Sequence, residues 1–359
     1  MSLPNPVGAR RDTVRLSAII PNFNHGAVIG EAVRALAAQS QPPDEIVIID
    51  DHSTDDSVAI IEELGRQFPA LRLVALDKNG GAIAALNRGI AEARGEYLYM
   101  GAADDFVLPG LFEKILPILE ANPSAAFSCC ECVVHDIDTD RYAWRPPVNP
   151  IERTAHLPPK AVADATRGAE NWIISNAAVA RRHLVIEAGN LDPRLGSFAD
   201  GFMFRELAFR YGCCFVPTPG VVWRVTGKGY SRREAANVDN SLKTLATVLD
   251  RMRTSPAFPA WYPDLMARRW RFGLGRIAAT AEPINGAVLV RLARGPIGRL
   301  VLGAASRIDG PIGRMAAMVW LTLQERPISL LGLARTRLSR QLRNRVQPGR
   351  RRVAGSSPL

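Results

Sequence analysis

The chain has 359 residues, of which 47% are hydrophobic and 22% are charged, and its formal net charge is +10. This composition is typical of a globular protein with one large domain or two, and it excludes a wholly disordered chain. The five cysteines lack the spacing of a zinc site or a disulfide framework, which predicts reduced thiols that pack as small hydrophobic residues.

Two features bear on where the protein resides. The longest apolar segment, 284–305, is interrupted by Arg291, Arg294 and Arg299, so we predict no membrane-spanning helix. The first twenty residues lack the hydrophobic region and cleavage site of a signal peptide. We therefore expect a cytoplasmic protein.

Short β-branched segments alternate with helical patterns along the first hundred residues. We predict strands at 14–20, 45–49, 71–76 and 96–100, with a helix after each of the first three. This alternation predicts an α/β fold, a Rossmann-like, mostly parallel sheet with helices on both faces. In such a sheet, ligands bind at the carboxyl ends of the strands.

The alternation weakens after Asp105, and from residue 237 the pattern is helical and rich in Ala and Arg. We predict five regions in all. They are an N-terminal tail (1–13), an α/β domain (14–236) in two halves (14–110 and 111–236), a basic helical region (237–347) and a disordered tail (348–359).

Charge is distributed unevenly along the chain. Residues 1–240 hold 24 Lys and Arg against 30 Asp and Glu, whereas residues 241–359 hold 21 against 5. A basic C-terminal third favours an anionic membrane surface or a nucleic acid, with a merely solubilising tail as the alternative. The region carries no recognised nucleic-acid-binding motif, so we expect no specific nucleic acid. The apolar residues within 288–301 suggest an amphipathic surface, which we expect either to lie on a membrane or to pack on the α/β domain.

A short cluster with polar residues follows each of the first four predicted strands. The clusters contain Pro21 and Asn22, Asp50 and Asp51, Asn79 and Gly81, and Asp104 and Asp105. The glycine-rich dinucleotide and P-loop fingerprints are both absent. A pyrophosphate approaches carboxylates only with a divalent cation between them, so this crevice predicts a metal–nucleotide site.

Three segments carry a resemblance to a known family. They are SAIIPNFNHGAVIGEAVRALAAQSQPPDEIVIIDDHSTDDS, NGGAIAALNRGIAEARGEYLYMGAADD and FADGFMFRELAFRYG. Over about residues 14–231 the chain resembles the family 2 glycosyltransferases, which are inverting, nucleotide-sugar-dependent enzymes of the GT-A fold. The resemblance implies that 14–110 is a nucleotide-binding half and 111–236 an acceptor half. The resemblance implies transfer from a nucleotide-diphosphate sugar, in our interpretation a UDP-sugar, to a hydroxyl of a saccharide or lipid-linked acceptor. Such an enzyme would serve polysaccharide, lipid-linked glycan or glycolipid synthesis, peripherally on the inner face of the plasma membrane.

The resemblance also implies roles for single residues in the donor pocket. It assigns Pro21 and Asn22 to the nucleotide pocket, and Asp50, together with Asp51, to the base and ribose. The alternative is that either aspartate only caps the following helix. Four residues match the family's Asn-x-Gly-x5-Asn-Arg-Gly pattern and extend the nucleotide-sugar site; they are Asn79, Gly81, Asn87 and Arg88. Asp105 is also assigned to this site. Arg88 reaches a phosphate in this interpretation, or else pairs with Glu92.

The implied metal ligand and base come from the last two segments. Asp104 matches the family's direct ligand to Mn²⁺ or Mg²⁺, although Ala102 replaces the other aspartate of that motif. Asp200 matches the general base, although Ala199 replaces the neighbouring glutamate and Thr226 stands where a histidine is common. Asp200 otherwise caps its helix. These replacements motivate a second hypothesis, a glycosyltransferase-like protein that binds nucleotide sugar or glycan without turnover.

Overall fold

The computed structural model describes residues 15–145, 151–169, 171–227, 229, 237–308 and 310–326. The two predicted tails, 1–13 and 348–359, lie outside the described residues. In the described part of the chain, no helix is long and apolar enough to cross a membrane.

The described strands form one sheet. They are β1 (Leu16–Asn22), β2 (Glu45–Asp50), β3 (Leu71–Ala75), β4 (Tyr97–Met100), β5 (Phe106–Val107), β6 (Phe127–Asp136), β7 (Arg141–Arg145), β8 (Ala155–Leu157), β9 (Ala178–Arg181) and β10 (Cys213–Val225). The order across the sheet is β3-β2-β1-β4-β9-β6-β10-β5, with β7 paired to β6 and β8 to β10. Strands β1 to β4, β6 and β10 run in one direction, and β9 and β5 run in the other.

Helices cover both faces of this sheet and continue beyond it. They are α1 (Gly26–Ala37), α2 (Ser57–Gln67), α3 (Ala82–Glu92), α4 (Leu111–Glu120), α5 (Pro159–Gly168), α6 (Arg182–Glu187), α7 (Ala199–Tyr211), α8 (Val238–Thr254), α9 (Tyr262–Thr280), α10 (Gly286–Leu292), α11 (Gly295–Ala305) and α12 (Pro311–Glu325). Two 3-10 helices, Ser175–Ala177 and Pro193–Phe198, precede β9 and α7.

Strand β1 shows how the sequence builds the two layers. Side chains alternate between the faces of a strand, so Ala18 and Ile20 pack with α1, α2 and α4, whereas Ile19 packs with α3 and α7. All six residues of β2 are buried, as expected for a parallel strand covered on both faces. The expected mostly parallel α/β sheet with helices on both faces is therefore confirmed.

The C-terminal helices are attached through one long helix. Tyr262 and Met266, at the start of α9, belong to the core on the α7 side of the sheet. Ala278 and Ala279, near its end, belong to a separate small core shared with α10, α11 and α12. Helix α9 thus joins the α/β sheet to a helical extension.

All five cysteines lie in β6 and β10, are buried and form no disulfide bond. Burial raises the pKa of each thiol, in Cys129 to about 12. They therefore behave as small hydrophobic residues, as the sequence predicts.

Candidate active site

The carboxyl ends of β1 and β2 are joined by a network of buried polar side chains. Asn22 lies opposite Asp50 in the register of these strands, and its Nδ2 donates to Asp50 Oδ1 at 2.8 Å. Ser53 donates twice to Asp50, from its backbone N at 2.9 Å and its Oγ at 2.6 Å. Pro21, half-buried, precedes Asn22 in β1. Asp50 is only 1% exposed and is occupied by these donors, so it orders the loop after β2.

The neighbouring carboxylate orders the next loop. Asp51 accepts from the backbone N of Gly80 at 2.7 Å and from that of Gly81 at 2.8 Å. Asn79 Nδ2 donates to the carbonyl of Asp51 at 3.0 Å. Gly81 has a φ of 86°, a conformation that favours glycine, and directly precedes α3. Neither Asp50 nor Asp51 caps α2, because Asp56 is the residue at its N-cap.

Two residues of α3 that were predicted to bind the nucleotide sugar have partners within the chain. Asn87 accepts from the backbone N of Leu191 at 3.0 Å and donates to its carbonyl at 2.8 Å, so both ends of its amide bind the loop before α7. It also lies in the wall of a cavity of about 380 Å³ between α3, this loop and α7. Arg88 is exposed and pairs with Glu92 at 2.8 Å, the alternative allowed by the sequence.

The loop after β4 holds two adjacent carboxylates in different environments. Asp104 is half-buried, whereas Asp105 is buried and accepts from Asn176 Nδ2 at 3.0 Å and from the backbone N of Arg224 at 2.8 Å. Burial, and next the charge of Asp104, raises the pKa of Asp105 to about 8. Asp105 therefore fastens this loop to the rest of the site, and Asp104 is the more accessible carboxylate.

Arg224 extends the site toward α1. Its guanidinium donates to Glu31 at 2.5 Å and lies 4.8 Å from the centre of the Phe106 ring. The sequence gives no signal for this pair, because Glu31 and Arg224 are 193 residues apart in the chain.

Asp200 lies in the first turn of α7. Its Oδ1 accepts from the backbone N of Gly201 at 2.6 Å, and its Oδ2 accepts a short hydrogen bond from Ser175 Oγ. The residue at the N-cap of α7 is Phe198, so Asp200 is not the cap. Ser175 precedes Asn176 in the 3-10 helix before β9, and this one turn therefore contacts both Asp200 and Asp105.

Three further residues near α7 have structural roles. Asp192 accepts from Arg194 in the turn before α7, and the hydrogen bond from Arg194 lowers its pKa. Glu206 accepts from Ser255 at 2.7 Å. Trp172 is buried edge-on against Phe215 in the core.

A divalent cation would find few ligands in the protein alone. No three His, Cys, Asp or Glu side chains come together as a metal site in the described residues. Asp104 supplies one accessible carboxylate, and Asp105 is occupied by its donors. This donor set fits a cation that arrives with a diphosphate, since Mg²⁺ is usually held by one or two carboxylates together with phosphates and waters.

Residues 17–186 match the family model described as Glycosyl transferase family 2. An uncharacterised protein of Mycobacterium tuberculosis is 28% identical over 247 residues, which are 66% of this chain and 73% of that protein. YibD, an uncharacterised glycosyltransferase of Escherichia coli, is 39% identical over 29% of this chain and 30% of its own length. The glycosyltransferase GlyG of Streptococcus pneumoniae is 33% identical over 28% of this chain and 33% of its own length. The chain thus aligns with about a third of these two glycosyltransferases.

Solved structures share the fold at low sequence identity. Staphylococcus aureus TarS, residues 1–349, superposes with a TM-score of 0.58 and 15% identity, covering 94% of this chain and 93% of the other. The mannosyltransferase PcManGT of Pyrobaculum calidifontis superposes with a TM-score of 0.54 and 22% identity over 92% of this chain and 87% of the other. These likenesses confirm the expected GT-A fold. Through residues 17–186, the chain belongs to glycosyl transferase family 2 and is of the glycosyltransferase class.

Proposed function

We propose that the protein transfers a sugar from a nucleotide-diphosphate sugar, a UDP-sugar in particular, to an acceptor hydroxyl with inversion at the anomeric carbon. One observation carries the proposal. The 3-10 turn Ser175–Ala177 contacts Asp200 on one side and, through Asn176, the Asp104–Asp105 loop on the other. A donor-side carboxylate and a candidate base therefore belong to one connected site.

The strand ends suit a nucleotide for a physical reason. Asp51 holds the backbone N–H groups of Gly80 and Gly81, and Asp50 holds Ser53, so both loops are ordered before any ligand arrives. Preorganised loops reduce the ordering cost of binding. Asn22 Oδ1 is buried without a hydrogen-bond partner in the described residues, an acceptor that a bound ligand or water commonly satisfies.

Neighbouring structures support the donor class. TarS has been solved with UDP-GlcNAc, and PcManGT with GDP-Man and Mn²⁺. We propose that Asp104 holds Mn²⁺ or Mg²⁺ together with the donor diphosphate, where a bound cation neutralises negative charge on the leaving group. Asp50, Asp51, Asn79 and Gly81 then act by shaping the nucleotide pocket beside Pro21 and Asn22. Asn87, in the cavity wall, and Arg88, which would exchange Glu92 for a phosphate, complete the proposed nucleotide-sugar site.

In the proposed reaction, Asp200 is the general base. The acceptor oxygen attacks the anomeric carbon, its proton passes to the Asp200 carboxylate, and the carbon–oxygen bond to the diphosphate breaks with its electron pair. Ser175 and the Gly201 N–H hold the two carboxylate oxygens and so fix the direction of proton transfer. Saccharides and lipid-linked glycans are the acceptors we propose, in polysaccharide or glycolipid synthesis.

A binding protein without turnover is the second candidate. It is favoured by Ala102 and Ala199, which remove two carboxylates of the family pattern, and by Thr226. Incubation with a panel of UDP- and GDP-sugars, with and without Mn²⁺, separates the two by measuring release of the nucleoside diphosphate. Cation-stimulated release supports the transferase. Thermal stabilisation by a nucleotide sugar without release, in the presence of saccharide acceptors, would favour the binding protein.

A further inference from the structure

Helix α12 is apolar on two opposite sides. Gly313, Ala317 and Leu321 form its buried side, and Ala317 and Leu321 pack in the small C-terminal core. The opposite side carries four large apolar residues that are each between 55% and 65% exposed; they are Ile312, Met315, Val319 and Leu323. A helix of a globular protein normally buries its apolar side and exposes a polar one, so this second, exposed apolar side calls for a partner.

The neighbouring helix and loop enlarge this surface. Helix α11 exposes Ile297 by 67% and Leu300 by 74%, and Ile308 lies exposed in the connection to α12. Helices α11 and α12 pack closely at Gly298, which has so little space that an added Cβ atom would lie 3.4 Å from Trp320 Nε1. We call the exposed apolar residues of α11, α12 and their connection the outer surface. It is made of Ile297, Leu300, Ile308, Ile312, Met315, Val319 and Leu323.

The concentration of these residues is unusual for the molecule. Seven of the eleven large hydrophobic residues that are exposed in the described part of the chain belong to the outer surface. Phe23, Ile137 and Ile186 are exposed singly on the α/β domain, which is ordinary for a protein surface. Four large apolar side chains exposed along one side of a single helix, α12, instead mark a contact with another molecule or a membrane.

Arginines accompany the outer surface. Arg299, Arg307 and Arg326 are exposed on or beside α11 and α12. The sequence after Arg326 adds eight arginines and no acidic residue. Within 285–359 the acidic residues are Asp309 and Glu325, and Glu325 is buried against Arg294 at 2.6 Å. The two helices that expose these apolar side chains therefore expose arginines as well.

We propose that the outer surface docks on an anionic lipid bilayer, with its apolar side chains in the acyl boundary and the arginines on the headgroups. Amphipathic helices bind membranes by this combination, and one signal alone gives only weak binding. Helix α12 has 15 residues, fewer than the about 20 needed to cross a bilayer, so it would lie along the surface. A second copy of the chain is a poorer occupant, because it would bring the same positive charge to the contact.

The test uses the full chain and vesicles of phosphatidylcholine with or without 30% phosphatidylglycerol. A fourfold variant combines Ile312→Gln, Met315→Gln, Val319→Gln and Leu323→Gln, all at exposed positions. A matched control combines Ile137→Gln and Ile186→Gln, which are 43% and 45% exposed on the α/β domain. We expect wild type and control to float with the anionic vesicles at low salt. The fourfold variant should bind at least about tenfold more weakly, because its apolar contact is lost while its charge remains.

Two results would overturn the proposal. One is failure of the wild type to bind anionic vesicles at low salt, or equal binding by the fourfold variant, which would reduce the contact to charge alone. The other is self-association of the wild type, measured by sedimentation velocity without lipid, that the fourfold variant abolishes while vesicle binding stays unchanged. Vesicle binding is measured without turnover, so its failure leaves the proposed transferase activity untouched.

Discussion

The α/β sheet and the C-terminal helices place polar and apolar groups in opposite ways. At the strand ends, Asp50, Asp51 and Asp105 are buried and each is held by donors from the same region. In α11 and α12, large apolar side chains point outward instead. The carboxylates of the sheet region thus have partners within the chain, while Asn22 Oδ1 is left for a small polar ligand. The helical extension has a surface that only a large apolar partner can cover.

Removing the proposed base from the sheet region tests this comparison most directly. Asp200→Asn keeps the size of the side chain and removes the base, so turnover should fall by about 10²- to 10⁴-fold. Its melting temperature and donor binding should stay close to those of wild type. Asp192→Asn is the matched control, since the Asp192 side chain caps the preceding turn and pairs with Arg194. The fourfold variant of the outer surface should keep full turnover on a soluble acceptor. Activity in Asp200→Asn close to wild type would remove Asp200 from the mechanism.

Replacing Ser175 tests whether its hydrogen bond positions Asp200, the proposed base. A hydrogen bond to a charged group contributes about 1.5–3 kcal/mol, so Ser175→Ala should lower kcat by roughly 10- to 100-fold with little change in the donor KM. Ser175→Thr keeps the hydroxyl and should restore most of kcat. Ser128→Ala is a suitable control, because Ser128 Oγ is buried without a hydrogen-bond partner in the described residues. A loss in Ser175→Ala that appears only in stability would indicate a purely structural role.

Asp104 tests whether the open side of the sheet region takes a cation with its nucleotide. In calorimetry with UDP and Mn²⁺, Asp104→Asn should weaken UDP binding by about tenfold, which corresponds to about 1.4 kcal/mol. Without a divalent cation the same variant should bind UDP no more weakly than wild type, because a negative charge near the diphosphate is removed. Equal weakening in both conditions would mean that Asp104 does not act through a cation.

Asp105 gives the smallest expected effect, on stability against pH. Its pKa is about 8 in the folded protein and near 3.8 when exposed. Between these pH values Asp105 is therefore protonated in the folded protein and ionised in the unfolded chain. Stability from this group therefore falls as pH rises through that window. Asp105→Asn cannot ionise and should gain stability relative to wild type between pH 5 and pH 8, by roughly 1 kcal/mol or more. Urea unfolding at both pH values, without divalent cations, measures the difference.

The control for this pH effect is Asp192→Asn. Arg194 lowers the pKa of Asp192, so its stabilising contribution is already complete by pH 5 and should stay constant up to pH 8. A difference between Asp105→Asn and wild type that is likewise constant over this range would show that Asp105 is ionised throughout.

Periodicity was enough to predict the layered sheet, because the pattern is local. The first predicted strand, 14–20, differs from the observed Leu16–Asn22 only at its ends. The Arg88–Glu92 pair, four residues apart on one helix, was among the alternatives for the same reason. Asn87 shows the limit, since its partner Leu191 is 104 residues away and only the folded chain brings them together.

The same limit explains the residues that sequence reasoning missed. Ser175 contacts Asp200 across 25 residues, and Asn176 contacts Asp105 across 71, so no motif marks the turn that joins them. The apolar positions of 288–301 divide in the structure. Leu289 packs in the small C-terminal core and Leu292 is buried, whereas Ile297 and Leu300 are exposed, so the segment does not behave as a single face. The exposed side of α12 is invisible to periodicity because its other side is apolar too.

A crystal structure with an intact UDP-sugar analogue and Mn²⁺ tests the central claim most directly. We expect the nucleotide at the carboxyl ends of β1 to β3, the cation between the diphosphate and Asp104, and Asp200 facing the anomeric carbon opposite the departing diphosphate. A nucleotide bound elsewhere, or Asp200 on the same side of the sugar as the diphosphate, would contradict the proposed inverting transfer.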